Sequence, residues 1–484
     1  MPLPITKSLR VLALSASALT LAACATVGPN FQTPAAPQGA AASGYAAAND
    51  PAPRTLNLSP EARAAGPWWQ AFGSPELDAA VRQALADSPT IAEAEANLAK
   101  ANAQLAAVRG REGVQADVSA GAQRQRVNTA AFGISGFPSP TINLFSVGGT
   151  VSYDLDLFGG QRRAAEAAAA RAEAEAREAD AAYLTLTGNV ALQAMRIAGL
   201  RAQIAAVEQI VADDQRVIDM VRRAQRAGGE APSAITGGQA QLAEDQALLP
   251  PLQRELTAAR HQLALLSGRS PAEYSAADFD LARLSAPTAV PVSLPSELVR
   301  RRPDILASEA ELHEATAEIG VAAAAQYPNL ALSAGLTQTA LKPENLFNYS
   351  ASGWNVLTGV TAPIFHGGTL RANRQAAEAE ARAALARYQQ TVIRAFGQVS
   401  DVLSALATDE QSIEALTRAQ GSAQAGVRDA EAAYRLGGGT LLQVVDAQRQ
   451  LSRARRALAQ AEAQRYADLV QLYAATAADW RTSA

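Results

Sequence analysis

Two kinds of hydrophobic spacing alternate along this 484-residue chain. The first has period two. In residues 113–123, Val114, Ala116, Val118, Ala120 and Ala122 fall on one side, with Gln115, Asp117, Ser119 and Gln123 on the other. Residues 145–158 set Val147, Val151, Tyr153, Leu155 and Leu157 opposite Ser146, Thr150, Ser152, Asp154 and Asp156. Further on, Leu330, Leu332, Ala334 and Leu336 alternate with Ala331, Ser333 and Thr337, and Trp354, Val356, Thr358 and Val360 complete the set. Such alternation predicts strands with one apolar face and one face of small polar groups. In lipid the apolar face turns outward. In water the same pattern describes half-buried strands of a soluble sheet, and periodicity fits both.

The second spacing is helical. Gly160 to Ala227 contains no proline and is built from Ala, Glu, Arg, Gln and Leu, which favour helix. A helix of that length extends ~100 Å. Leu200, Ile204, Val207, Val211, Ile218 and Val221 recur at four-three spacing. Leu242, Leu249, Leu252, Leu256, Leu263 and Leu266 do so on a returning helix, and Ile413, Leu416, Val427 and Tyr434 keep the register later. Sustained heptads predict coiled-coil contact, and alanines along the seam permit close approach. Shorter helices are predicted from Pro89 to about Glu112 and from Pro303 to about Gln326, ahead of each strand pair.

These elements occur twice in the same order. SPTIAEAEANL at 88–98 aligns with RPDILASEAEL at 302–312, and DLFGGQRR at 156–163 with IFHGGTLR at 364–371. QRAGGEAPSAITGGQAQL at 225–242 aligns with YRLGGGTLLQVVDAQRQL at 434–451. The separation stays near roughly 210 residues throughout, so the chain reads as two copies of one unit. The first copy is 88–267, with strands within 113–158 and a helical hairpin turning at 228–231. The second is 302–476, with strands within 329–365 and a turn at 437–440. Residues 24–87 precede them, a Pro- and Ser-rich linker at 268–301 joins them, and 477–484 form a tail.

Four strands cannot close a barrel, since the smallest usual one has eight. An open four-stranded sheet in lipid would leave two edges of unpaired backbone groups. Several copies must then each lend four staves, and three copies give twelve. No segment after the N-terminus reaches 18 uninterrupted apolar residues, so any spanning structure in the mature chain is a β-barrel.

The N-terminus is a secretory signal: Lys7 and Arg10 precede the apolar run 11–24, which is too short for an ordinary spanning helix. It ends in Leu21-Ala22-Ala23-Cys24, which resembles the bacterial lipobox. By that resemblance residues 1–23 are removed and Cys24 carries S-diacylglycerol and N-acyl chains. Ala25 follows where an aspartate would signal inner-membrane retention, so the outer membrane is expected. Cys24 is the only cysteine, which excludes a disulfide within the chain.

Charge and motif content argue against other classes. The 42 basic and 46 acidic residues nearly cancel, giving no sign of a nucleic-acid partner. His261, His313 and His366 lie apart, and His313-Glu314 starts an HExxH that fails at Ala317. No P-loop, nucleophile elbow or cysteine nucleophile is present, and no catalytic residue, metal or cofactor is expected. Gly159-Gly160 and Gly367-Gly368 follow strands and open helices. A change of chain direction accounts for them more simply than phosphate binding. A structural periplasmic coiled coil fits the helices but leaves the strands unexplained.

CATVGPNFQTP at 24–34, WWQAFGSPEL at 68–77, YDLDLFGG at 153–160, RRPDI at 301–305 and LLQVVDAQRQL at 441–451 occur in order. Together they resemble the TolC-like outer-membrane efflux proteins, in particular the lipoproteins serving tripartite resistance-nodulation-division (RND) pumps of Gram-negative bacteria. The resemblance implies a mixed α/β, mainly helical fold, in which a homotrimer forms a twelve-stranded outer-membrane barrel and a periplasmic α-helical barrel. It implies a passive duct for drugs and other small toxic compounds, fed by an inner-membrane RND transporter through a periplasmic adaptor. Ducts of type I protein secretion are the alternative in the same family.

The resemblance also assigns the glycine turns. Gly228 and Gly229, and the stretch Arg435, Leu436, Gly437, Gly438 and Gly439, become adaptor-contacting tips. Asp446, Gln443 and Tyr434 fall at gate positions, although Gln443 replaces a usual acid and Gly439 a usual base. The usual acidic partner of Tyr434 corresponds to Gly237. Three Asp446 carboxylates would form the narrowest ring, attracting cations and resisting simultaneous ionisation. An exposed carboxylate near a helix start is the plainer reading.

Overall fold

The fold is known from a computed structural model. It describes residues 26–35, 45, 50–54, 56–59, 67–128, 133, 139–275, 277–287, 289–291 and 295–477. The signal segment and Cys24 lie outside the described residues, as do residues 478–484 of the tail.

In chain order the elements are β1 (Asn57–Ser59), a short 3₁₀ turn at Trp68–Phe72, α1 (Pro75–Asp87), α2 (Pro89–Arg111), β2 (Gln115–Arg126), β3 (Thr141–Leu155) and α3 (Gly160–Arg226). Next come α4 (Pro232–Gln246), α5 (Leu249–Leu266), β4 (Ala289–Pro291), α6 (Pro295–Leu298), α7 (Pro303–Ala324), β5 (Asn329–Ala340) and β6 (Ser352–Thr361). α8 (Thr369–Arg435) and α9 (Leu441–Thr476) close the chain. The fold is mainly helical. A short helix, two strands and an unbroken 67-residue helix occur in that order twice. Among the described residues, no helix is long and apolar enough to cross a membrane.

β2, β3, β5 and β6 form one antiparallel sheet in that order. Direct cross-strand partners share a face of a sheet, and the register keeps the alternation in phase across all four strands. Val118 pairs Gly149, Gly149 pairs Leu336, and Leu336 pairs Trp354. Two positions along, Ala116, Val151, Ala334 and Val356 form the next row on the same face. Val118, Leu336, Trp354, Val356 and Val360 are exposed. The opposite face carries Asp117, Ser119, Thr150, Ser152, Ser333, Thr337 and Asn355. The outer strands β2 and β6 each pair on one side among the described residues.

Glycine turns the chain from sheet into helix. Gly159 (φ 78°) precedes α3, and Gly367 (φ 57°) and Gly368 (φ 87°) precede α8; side chains other than glycine's avoid this region. The expected change of direction at both glycine pairs is observed.

The returning helix of the first hairpin differs from expectation. Continuous leucine spacing predicts one helix through Leu242 and Leu266, yet α4 ends at Gln246 and α5 begins at Leu249. Pro250 and Pro251 lack the N–H groups that would bond the carbonyls of Gln246 and Ala247, so the ladder lapses there. The second returning helix has no such prolines, and α9 runs 36 residues unbroken.

By their contacts the described residues form two units. The first draws on 26–34, 97–176 and 307–388 and contains the four-stranded sheet. Its helices meet through Leu312, Ala315 and Ala384, with Phe31, Ala381 and Leu385 against them. The second draws on the described residues of 35–96, 177–306 and 389–477. In it the 268–301 linker adds β4 parallel to β1 and accepts hydrogen bonds from Arg201 and Tyr466 at the carbonyls of Phe279 and Leu284. Trp68 stacks on Tyr473 with ring centres 5.5 Å apart, so the WWQAF motif is core.

Candidate functional site

The two helical hairpins turn in the same way. Gly228 and Gly437 both hold φ near 79°. Gly229 N–H donates to Ala224 O, and Gly438 N–H to Ala433 O, each at 3.0 Å. This left-handed glycine closure satisfies carbonyls that a helix end otherwise leaves open. Arg435 is the last residue of α8, and Leu436, Gly437 and Gly438 are exposed.

Behind the turns, Val217 and Val221 of α3 pack on Leu441 and Val444 of α9, flanked by Ala234, Ile235, Ala430, Tyr434 and Val445. The tips of the two hairpins therefore share one apolar core. Tyr434 is half-buried in it, and its O–H donates to Glu230 Oε1 at 3.4 Å. Burial first, then the Glu230 charge and the bond to it, push the phenol above its ordinary value, so it stays protonated. The resemblance places the tyrosine's partner at Gly237; the structure supplies Glu230 from the turn. That residue was not singled out in the sequence, because its contact spans 204 positions.

Gln443 belongs to a capping box. Its Oε1 accepts from Thr440 N–H at 2.8 Å, and Thr440 Oγ1 accepts from Gln443 N–H at 3.4 Å. The T-x-x-Q spelling was a legible signal for it. At Gly439, a Cβ would sit 3.0 Å from both Tyr434 N and Ala433 Cβ, which leaves little room for a basic side chain. Asp446 is exposed, with Arg449 Nη1 3.7 Å from its Oδ1.

The segment following Cys24 is clamped. Arg163, buried at the start of α3, donates from Nε to Val27 O at 3.2 Å and from Nη2 to Asn30 Oδ1 at 2.7 Å. Its Nη1 bonds Glu166 Oε2 at 2.6 Å. Glu166 Oε1 lies 3.1 Å from His313 Nε2, and the His313 ring stacks on Phe31 at 4.5 Å. Burial opposes ionisation of Glu166, but the bonds from His313 and Arg163 outweigh it and hold the carboxyl below its ordinary value. His313 is thus a structural partner of the strap, which accounts for the isolated HE pair.

This arrangement has known counterparts. The sequence model of the outer membrane efflux protein family matches residues 80–269 and 294–478. The chain belongs to that family. Outer membrane protein OprJ of Pseudomonas aeruginosa is 30% identical over 474 residues, 96% of this chain and 94% of that protein. The pyoverdine export outer membrane protein OpmQ of Pseudomonas putida is 29% identical over 450 residues, 90% of this chain and 95% of that one. Among solved structures, the outer-membrane channel OprN matches with a TM-score of 0.81 at 28% identity, covering 94% of this chain and 99% of that one. The open state of the Neisseria gonorrhoeae MtrE outer membrane channel matches with a TM-score of 0.81 at 25% identity and the same coverage. This efflux family protein thus shares the mainly helical architecture, with its four-stranded sheet, of outer-membrane channels.

Proposed function

We propose that three copies of this chain close a twelve-stranded barrel in the outer membrane, continued by a periplasmic helical barrel, as the passive exit duct of a tripartite efflux pump. The sheet carries the proposal. Its apolar face is exposed in all four strands, and among the described residues β2 and β6 each pair on one side. Left open in hydrocarbon, roughly ten backbone groups along each edge would go unpaired at several kcal/mol each. Pairing β2 of one copy with β6 of the next removes that cost. The polar face then lines the lumen.

In this reading the chain is two fused copies of one unit, anchored through lipid on Cys24 and held near the bilayer by the clamped strap 26–34. The hairpin tips at Gly228-Gly229 and at Arg435 to Gly439 meet the adaptor. An inner-membrane RND transporter supplies the energy, and Asp446, Gln443 and Tyr434 border the periplasmic aperture. A duct has no catalytic step, so the chain is not an enzyme.

Detergent extraction of outer membranes tests the proposal. The expected result is a heat-sensitive trimer band, an acylated Cys24 by mass spectrometry, and discrete conductance steps in a planar bilayer. A water-soluble monomer without lipid overturns it.

A further inference from the structure

Two aspartates occupy places that a coiled-coil seam reserves for apolar residues. In α3 the buried residues Val207, Ile210, Asp214, Val217 and Val221 follow three-four spacing. Asp245 of α4 faces Asp214, and both are more than nine-tenths buried. Their carboxyl groups lie close enough to share a hydrogen bond, which requires one proton between them. Asp214 Oδ2 is buried with no donor on the protein among the described residues.

The surrounding charges come from three helices. On α3, Asp213 is bound by Arg216 and by Arg455 of α9, the latter at 3.0 Å. On α4, Gln241 Nε2 donates to Asp245 Oδ2 at 2.7 Å. On α9, Arg449 Nε donates to Gln241 Oε1 at 2.7 Å, while its Nη1 lies 3.7 Å from Asp446 Oδ1. Burial first, then the Asp245 charge, the shared bond and Asp213, push the Asp214 carboxyl up to about 7, and Arg449 opposes them. Contacts therefore run unbroken from Asp214 through Asp245, Gln241 and Arg449 to Asp446.

We propose that this chain of contacts is a proton-operated latch linking the seam of the first hairpin to Asp446. With one proton between Asp214 and Asp245, α3 and α4 stay closed, and Arg449 is shared by Gln241 and Asp446. When that proton passes to water, two carboxylates repel across the seam and draw Arg449 inward. Asp446 is then left without its counter-charge, and the start of α9 loosens. The Asp446 end of the latch rests on the aperture reading above; the seam end does not.

Amide hydrogen exchange on the detergent-extracted full chain tests the latch, with rates corrected for the intrinsic pH dependence. Between pH 5 and pH 7 the opening of 206–221 and 234–246 rises by roughly tenfold per pH unit, then levels off. Residues 441–450 follow the same profile. Asp214→Asn, which can still donate to Asp245 but cannot ionise, removes the rise in all three segments; Asp245→Asn makes the same change from the other side. A flat parent profile, or a rise that survives both variants, overturns the proposal. A rise confined to α3 and α4 overturns the link to Asp446. Conductance of the same preparation is a separate reading: a non-conducting protein that keeps the rise refutes the duct and leaves the latch standing.

Discussion

The Tyr434 hydroxyl, on the last turn of α8, donates to Glu230 in the turn after α3, so one hairpin tip holds the other at 3.4 Å. The bond is long and only half-buried. Removing it with Tyr434→Phe should cost about 0.5–1.5 kcal/mol at the tips. Glu230→Gln should cost less, because an amide oxygen still accepts the hydroxyl proton. Single-channel recording checks this: both variants should raise the open fraction, Tyr434→Phe more, and their double variant should add little.

A second carboxyl pair predicts how stability varies with pH. Asp409 of α8 meets Asp468 of α9; burial first, then the shared bond and the Asp468 charge, push Asp409 up to about 7 against the opposing Arg465. A carboxyl raised in the folded state contributes stability that is complete below its unfolded value and is lost as pH rises through the folded one. Stability should therefore fall between about pH 4 and pH 7, by about 1.4 kcal/mol per pH unit at most. Denaturation followed across that range should show the slope in the parent and a shallower one in Asp409→Asn.

Gly437 holds φ 79° at an exposed turn with open space around it. Gly437→Val should cost about 1–2 kcal/mol through backbone strain alone. Faster proteolysis at 436–440 would register it, with the sheet unaffected.

Neighbouring residues of β6 separate the two faces of the sheet. Val356 stands on the apolar face and Asn355 on the polar one. In a lipid-facing barrel, Val356→Arg should destabilise by about 2–4 kcal/mol near mid-bilayer, and Asn355→Arg should be tolerated while altering ion preference. Trimer yield on unheated gels and conductance measure the two effects.

The strand faces were legible where alternation is strict, because alternation is local: Ala116, Val118, Val151, Ala334, Leu336, Trp354 and Val356 share one face as their spacing assigns, whereas Ile142, Leu144 and Leu357 fall in the polar rows. Strand ends were less so. β3 begins at Thr141, ahead of the apolar residues from Phe145, because Thr141–Leu144 pair with Gln123–Arg126 across the hairpin. Register of that kind depends on the partner strand. The helix break at Ala247 was spelled by Pro250-Pro251 but hidden under regular leucine spacing. Glu230 could not be matched to Tyr434 from sequence, since only tertiary approach joins the two tip turns. Asp214 and Asp245 did carry a signal, a charge at a heptad seam, which the surrounding alanines and leucines obscure.

One measurement bears most directly on the central claim that a single chain supplies too few strands to enclose a pore. Native mass spectrometry of the detergent-extracted protein counts the chains and their lipids together. Three chains in one particle, each acylated at Cys24, is the expected result. A particle of one chain, stable in detergent without partners, would contradict it.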